Sequence, residues 1–319
     1  TKPRRETPLG VAGLPSKVKL PLSTAQQLIE NITSFLATSK DAEALLVLPD
    51  WSSFARNDVT GDMKDITAVL NFNAALLKEL GLPEAVKVVK QSEIILKDPN
   101  NYWVTAIGVG RKRNIGTVTK ALGGTLDTAG QAVACLMRTA DAVHVGASHV
   151  ISIEGDADLC AFIEMHSEGE IAAVKSAPNV IPHLCNPETK PSGPNDTFYL
   201  DDTDADINTK VKKAYCAEKE TANAVVELLQ FFISQKKGGA AIEIPRAEKD
   251  GGNYKISSVE ELLEKSGSGA LHPGDAKKAL GPLMLAFTEE TRLLLKKPTP
   301  EFKNIATVVK NAAKKLAKK

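Results

Sequence analysis

No histidine occurs ahead of His144 and no tyrosine ahead of Tyr102 in this chain of 319 residues. The N-terminal stretch therefore has no imidazole to serve as acid, base or phosphate ligand. Cysteine is scarce as well. Cys135, Cys160, Cys185 and Cys216 are widely spaced and form no CxxC, which argues against a zinc knuckle and leaves reduced, buried thiols as the expectation, with no metal. No apolar run is long enough to span a bilayer. The opening TKPRRETPLG lacks the hydrophobic core of a secretion signal, so a cytoplasmic protein without membrane contact is expected.

What is present is ordinary for a globular protein: 43% hydrophobic and 25% charged residues, in a chain long enough for two domains. The net charge of +1 hides an uneven distribution, because Arg292 to Lys319 holds nine Lys or Arg against one Glu. Such a segment either solvates a helix face or meets phosphate.

Along the chain, Ser23 with Gln26 three residues on reads as a capping box for a helix to about Thr38. EALLVLP from Glu43 reads as a buried strand, Asp62 to Leu80 as a helix stopped at Gly81, and AVKVVK from Ala85 as the next strand. This is βαβ rhythm, predicting a parallel sheet covered by helices. A helical hairpin is predicted from Pro99 to about Val145, then strands at His149 to Glu154 and Gly169 to Lys175 around one more helix. Four prolines and a glycine between Pro182 and Thr197 mark a loop or hinge. Helices are predicted beyond it at 202–216, 221–236, 257–265, 275–296 and from Pro300, with a short strand at AAIEI from Ala240.

The most informative stretch is LHPGDAKKAL, Leu271 to Leu280, which opens directly into a helix. Taken alone, it places the Asp275 carboxylate where it would accept from the first free amides of that helix, as an N-cap.

LDD (Leu200 to Asp202), VKKAYC (Val211 to Cys216), AEKDGGNYKISSVEELLEK (Ala247 to Lys265) and LHPGDAKK occur in an order and spacing that resembles the tyrosyl-tRNA synthetases of the archaeal and eukaryotic type. LPSKVKLPLS (Leu14 to Ser23), LLVLPDWSSFARN (Leu45 to Asn57) and NNYWVTAIGVGRKR (Asn100 to Arg113) are similar to that family's N-terminal blocks. The resemblance implies an α/β fold: a class I Rossmann-like domain with a parallel sheet at 1–200, including interface helices at about 99–145. A mainly α-helical anticodon-binding domain would follow at 201–297, then a basic C-terminal helix at 298–319.

The same resemblance exposes what has changed. Where the family carries phosphate-binding histidines stand Lys19, Pro21 and Leu22, and Lys190 and Ser192 are the remnants of its Lys-Ser loop. Its Tyr-x-x-x-Gln-x-x-Asp helix appears as Ala134, Arg138 and Asp141, and its glycine-rich turn with a Gln becomes SIEGDAD with Asp156. Losing buried hydrogen-bonding groups costs orders of magnitude in specificity when a site is built on them. No catalytic residue and no cofactor are therefore expected for this chain, ATP and Mg being used by an active partner.

What remains implied is tRNA-Tyr binding: Asp275 accepting from a purine edge, with His272, Asp250, Lys277 and Lys278 around it. Asp250 stands where the family has a stacking aromatic, and stacking contributes roughly 1–3 kcal/mol per base. The expected role is a catalytically silent synthetase-like subunit or half of a double-length chain. It would supply anticodon binding and a dimer interface to an active half, because family members charge a tRNA on one subunit and read its anticodon on the other. The alternatives are a purely structural dimerisation partner and an active tyrosine-tRNA ligase with an unorthodox site using Lys19, Lys190 and Asp141.

Overall fold

The computed structural model describes residues 7–153, 155–175, 182–184, 195–235 and 241–316. They fall into two compact units: one of Thr1–Leu20, Thr24–Pro178 and Pro298–Lys319, the other of Pro21–Ser23 and Asn179–Lys297.

The first unit is built on five parallel strands, β1 (Leu9–Gly13), β2 (Glu43–Leu48), β3 (Lys87–Lys90), β4 (His149–Ile151) and β5 (Ala172–Val174), in the order β3-β2-β1-β4-β5. The helices are α1 (Leu22–Leu36), α2 (Asp50–Arg56), α3 (Met63–Glu79), α4 (Gln91–Lys97), α5 (Pro99–Lys112), α6 (Ile115–Ala121), α7 (Ala129–Val145) and α8 (Ala157–His166). The βαβ rhythm read from the sequence is present, with a notable omission. The central strand β1, LGVAG, carries two glycines in five residues and gives no strand signal of its own. Packing explains them. A Cβ on Gly10 would lie 2.6 Å from the Phe35 ring, and one on Gly13 would lie 3.0 Å from the Arg138 guanidinium.

Local chemistry sets most helix ends. The Asp62 side chain caps α3 by accepting from the Lys64 amide, and Gly81 turns the chain after it with φ 108°. The expected capping box at Ser23 is not formed: α1 already starts at Leu22, and Gln26 donates to Glu30 at 2.8 Å, one turn on, instead of back to the helix start. The expected hairpin of 99–145 is three helices, because Asn114 caps a separate α6 and Thr128 opens α7 with a complete capping box.

The second unit contains α9 (Asp204–Lys213), α10 (Ala224–Gln235), α11 (Val259–Ser268), α12 (Pro273–Phe287) and α13 (Glu289–Lys296). An antiparallel pair, β6 (Ile242–Ile244) with β7 (Tyr254–Ile256), completes it. The single helix expected over 275–296 is broken at Thr288, whose hydroxyl donates to Met284 O and accepts from Arg292 Nε. Arg292 also bonds Asp204 and the Leu285 carbonyl, fixing the bend. The final helix, α14 (Ile305–Leu316), belongs to the first unit and packs Ile305, Val309 and Ala312 inward while keeping Lys310 and Lys314 exposed. Phe302 meets Phe72 of α3 edge-on at 5.4 Å, and Lys315 reaches Asp65 at 3.6 Å.

Candidate functional site

In the first unit, a cavity of about 520 Å³ lies where the chain leaves the C-terminal ends of β1, β2 and β4. After β1 the chain crosses to β2 on one side, and β4 lies on the other. This reversal of strand order is where open parallel sheets bind ligands. The walls carry Gly13 to Val18, Arg56, Asp58, Ala134, Arg138 and Asp156, among others.

Three of the four pocket positions read from the sequence, Ala134, Arg138 and Asp156, line this cavity. Asp141 does not. It is fully buried, its Oδ1 accepting from the Tyr102 hydroxyl at 2.7 Å and its Oδ2 from Gln91 Nε2 at 2.7 Å. Gln91 Oε1 in turn accepts from the amide and hydroxyl of Ser52. The carboxylate is thus consumed by a closed internal network. Desolvation raises its pKa to about 6 against the lowering effect of the Tyr102 hydrogen bond, and burial with the Asp141 charge drives the Tyr102 phenol far up.

Arg138 is the opposite case. Only 8% exposed, it buries Nη1 without a hydrogen-bond partner and sends Nη2 to Val11 O at a long 3.5 Å. No ion pair forms to it among the described residues. Asp156 accepts from the Ile153 amide at 2.7 Å, and desolvation pushes its carboxyl above the usual range. Cys135, also on the wall, is pushed up to about 12 by burial and is a neutral thiol.

At the positions aligned with the phosphate-binding histidines, Leu22 is completely buried at the start of α1. Its amide donates to Phe198 O, and Pro21 bridges Tyr199. Lys19 is half-buried. Lys190 and Ser192 lie outside the described residues.

In the second unit the HPGD turn differs from the simplest reading. His272, not Asp275, is the N-cap of α12: its Nδ1 accepts from the Gly274 amide at 3.0 Å, and Pro273 fills the first helical position. Asp275, one turn in, is freed from capping and instead holds two cations. Its Oδ2 accepts from Arg246 Nε at 3.2 Å and its Oδ1 from Lys278 Nζ at 3.0 Å. Desolvation raises its pKa, but these two hydrogen bonds outweigh it and hold the carboxyl below the usual range.

Arg246 also donates to Ala270 O at 3.0 Å and lies 5.5 Å from the Tyr254 ring centre; Lys265 lies 5.3 Å from the same ring. The Tyr254 hydroxyl is buried without a partner. Arg246 and Tyr254 escape a reading of the sequence, since only the β6-β7 pairing brings them beside Asp275. The remaining candidates surround this cluster. His272 lies 3.6 Å from Glu218, Lys277 donates to Lys212 O at 3.2 Å, and Asp250 is exposed ahead of Gly251 and Gly252, both in the left-handed region. Among the described residues no group of three or more His, Cys, Asp or Glu is arranged for a metal ion, and no helix is long and apolar enough to cross a membrane.

A doubly wound parallel sheet with a pocket at its switch point, followed by a helical unit, is the architecture of a class I aminoacyl-tRNA synthetase. Residues 183–287 match the family model described as tRNA synthetases class I (W and Y). Over its whole length the chain is similar to the Leishmania major tyrosyl-tRNA synthetase solved with tyrosinol: 39% identity, TM-score 0.87, covering 99% of this chain and 46% of that one. Its sequence is 25% identical over 279 residues to a cytoplasmic tyrosine-tRNA ligase of Arabidopsis thaliana, covering 80% of this chain and 69% of the relative. Likeness to the Pyrococcus horikoshii enzyme, at 18% identity and TM-score 0.76, extends the shared fold. The chain belongs to the class I tyrosyl-tRNA synthetase family, and it spans slightly less than half the length of the Leishmania chain.

Proposed function

We propose that the chain is a tyrosyl-tRNA synthetase-like half without its own catalytic signatures, supplying anticodon binding for tRNA-Tyr and a pairing surface to an active tyrosine-tRNA ligase half in the cytoplasm. The observation that carries the reading is the contrast between the two sites. The HPGD turn holds the Asp275 carboxylate between Arg246 and Lys278, while the start of α1 presents a buried Leu22 and a proline where the reaction would need donors aimed at phosphate. ATP and Mg would be used by the active half.

Pairing is supported by α5 and α6, which leave Val104, Ile107 and Ile115 more than 60% exposed; Val104 and Ile107 share a helix face. A homologous helix pair from a second synthetase half is the proposed occupant. At the other site, Arg246 and Lys278 fix the Asp275 carboxylate with lone pairs left to accept from the N1 and N2 donors of guanine, and Tyr254 adds a nearby aromatic ring.

Two measurements on the chain paired with its active half test this. Asp275→Ala is expected to weaken tRNA-Tyr binding about tenfold, in line with about 1–3 kcal/mol for a good base contact, and to spare binding of a tRNA with another anticodon. Unchanged affinity would leave a purely structural partner. Tyrosine-dependent pyrophosphate exchange by this chain alone, at the rate of an ordinary synthetase, would overturn the silent-half reading.

A further inference from the structure

The cavity of the first unit contains a guanidinium that no described side chain engages in an ion pair. A buried guanidinium without a counter-ion is strongly unfavourable unless something else completes it. Arg138 has a buried, unpartnered Nη1, forms no ion pair among the described residues, and lines a cavity of about 520 Å³, a size that suits a small organic ligand. The carboxylates around it are held by other partners: Asp156, on the same cavity wall, accepts from the Ile153 amide and feels the guanidinium only through space. Asp141 is closed off by Tyr102 and Gln91, and Asp58 pairs with Arg56 at 2.8 Å. Gly13 lets the guanidinium lie close to β1, since a Cβ there would stand 3.0 Å from Arg138 Nε.

We infer that this cavity binds a small organic monocarboxylate, with Arg138 as the anion-binding residue. The rest of the wall sets the ligand class. Leu14, Pro15, Val18, Ala134, Ile153 and Leu159 offer an apolar surface to the body of the molecule. Asp156, on the same cavity, disfavours a second negative charge, which selects a carboxylate over a phosphate dianion. Arg138 supplies a planar fork matched to a carboxylate. This assignment does not depend on the tRNA reading, since no residue of the second unit takes part.

The test is calorimetric titration of the full chain with phenylacetate, the neutral phenylacetamide, phenyl phosphate and L-tyrosine, repeated on Arg138→Met and Arg138→Lys. Phenylacetate is expected to bind saturably and at least tenfold tighter than phenylacetamide. Arg138→Met should lose that preference, and Arg138→Lys should keep part of it. The unliganded Arg138→Met protein should also melt no lower than the parent, because the substitution removes an unpaired buried charge. Equal binding of acid and amide, no saturable binding of phenylacetate, preference for phenyl phosphate, or L-tyrosine binding that Arg138→Met leaves unchanged would each overturn the assignment. If Arg138→Met does not fold, the Arg138→Lys titrations decide: equal weakening for acid and amide would count against it.

Discussion

In the first unit the Asp141 carboxylate receives two neutral donors, the Tyr102 hydroxyl and the Gln91 amide, whereas in the second unit Asp275 receives two cations, Arg246 and Lys278. Both carboxylates are desolvated. For Asp141 the neutral hydrogen bonds do not offset burial and its pKa is pushed to about 6; for Asp275 the ionic ones do, and its pKa lies below the usual value. The cations follow the same contrast. Arg246 is committed to a carboxylate, a carbonyl and a ring, while Arg138 buries an unpartnered nitrogen. Polar networks that close on themselves hold a fold together, and a buried polar atom left out of one calls for an explanation.

The largest way to break this contrast is Tyr102→Ala. It removes a fully buried ring and leaves Asp141 Oδ1 without its donor. A loss of about 4 kcal/mol is expected in urea denaturation, whereas a loss below about 1 kcal/mol would mean the network is peripheral.

The pH dependence should have opposite signs in the two units. A folded pKa of about 6 for Asp141, against 3.8 for the free carboxyl, means that the native state holds its proton more tightly than the unfolded chain. Its contribution is complete below about pH 4 and is lost as pH rises through about 6, a total of about 3 kcal/mol. Asp141→Asn should flatten that fall, even though its amide opposes the Gln91 amide and lowers stability at acid pH.

Packing supplies the third test. A Cβ on Gly130 of α7 would lie 1.9 Å from the Ala55 carbonyl of α2, so Gly130→Ala must push the two helices apart. The expected cost is about 2 kcal/mol, read as a shift in the urea midpoint. The smallest effect belongs to the second unit. Asp275 contributes stability that is present above the ordinary carboxyl pKa and is lost as pH falls through its lowered folded value. Asp275→Asn should remove that acid-side loss at a cost of about 1 kcal/mol near neutral pH. If stability rose instead of falling as the parent was acidified through that range, the pairing with Arg246 and Lys278 would be refuted.

Much of the architecture was legible in the chain because the signals are local. The Asp62 cap with the Gly81 stop bounds α3, the apolar run Glu43–Leu48 is a strand as read, and the turn residues mark the start of α12, which begins at Pro273, two residues ahead of the expected Asp275. The site was legible in part. Ala134, Arg138 and Asp156 were found on α7 and the turn after β4, and the structure gathers them on one cavity. Asp141 shares their helix but faces Tyr102, a partner 39 residues away that no periodicity identifies.

The sequence by itself determined the alternation of strands and helices, the helical character of the second half and the absence of any histidine ahead of His144. Each of these follows from composition and short-range spacing. Only the tertiary structure decided that LGVAG is the central strand, since its glycines answer to Phe35 and Arg138 and not to strand propensity. It also decided that His272 takes the cap and leaves Asp275 to Arg246, and that Arg138 lines a cavity with one nitrogen unpartnered. Hydrogen bonds and ion pairs are settled by which groups meet across long loops, and that is fixed only when the sheet and helices have packed.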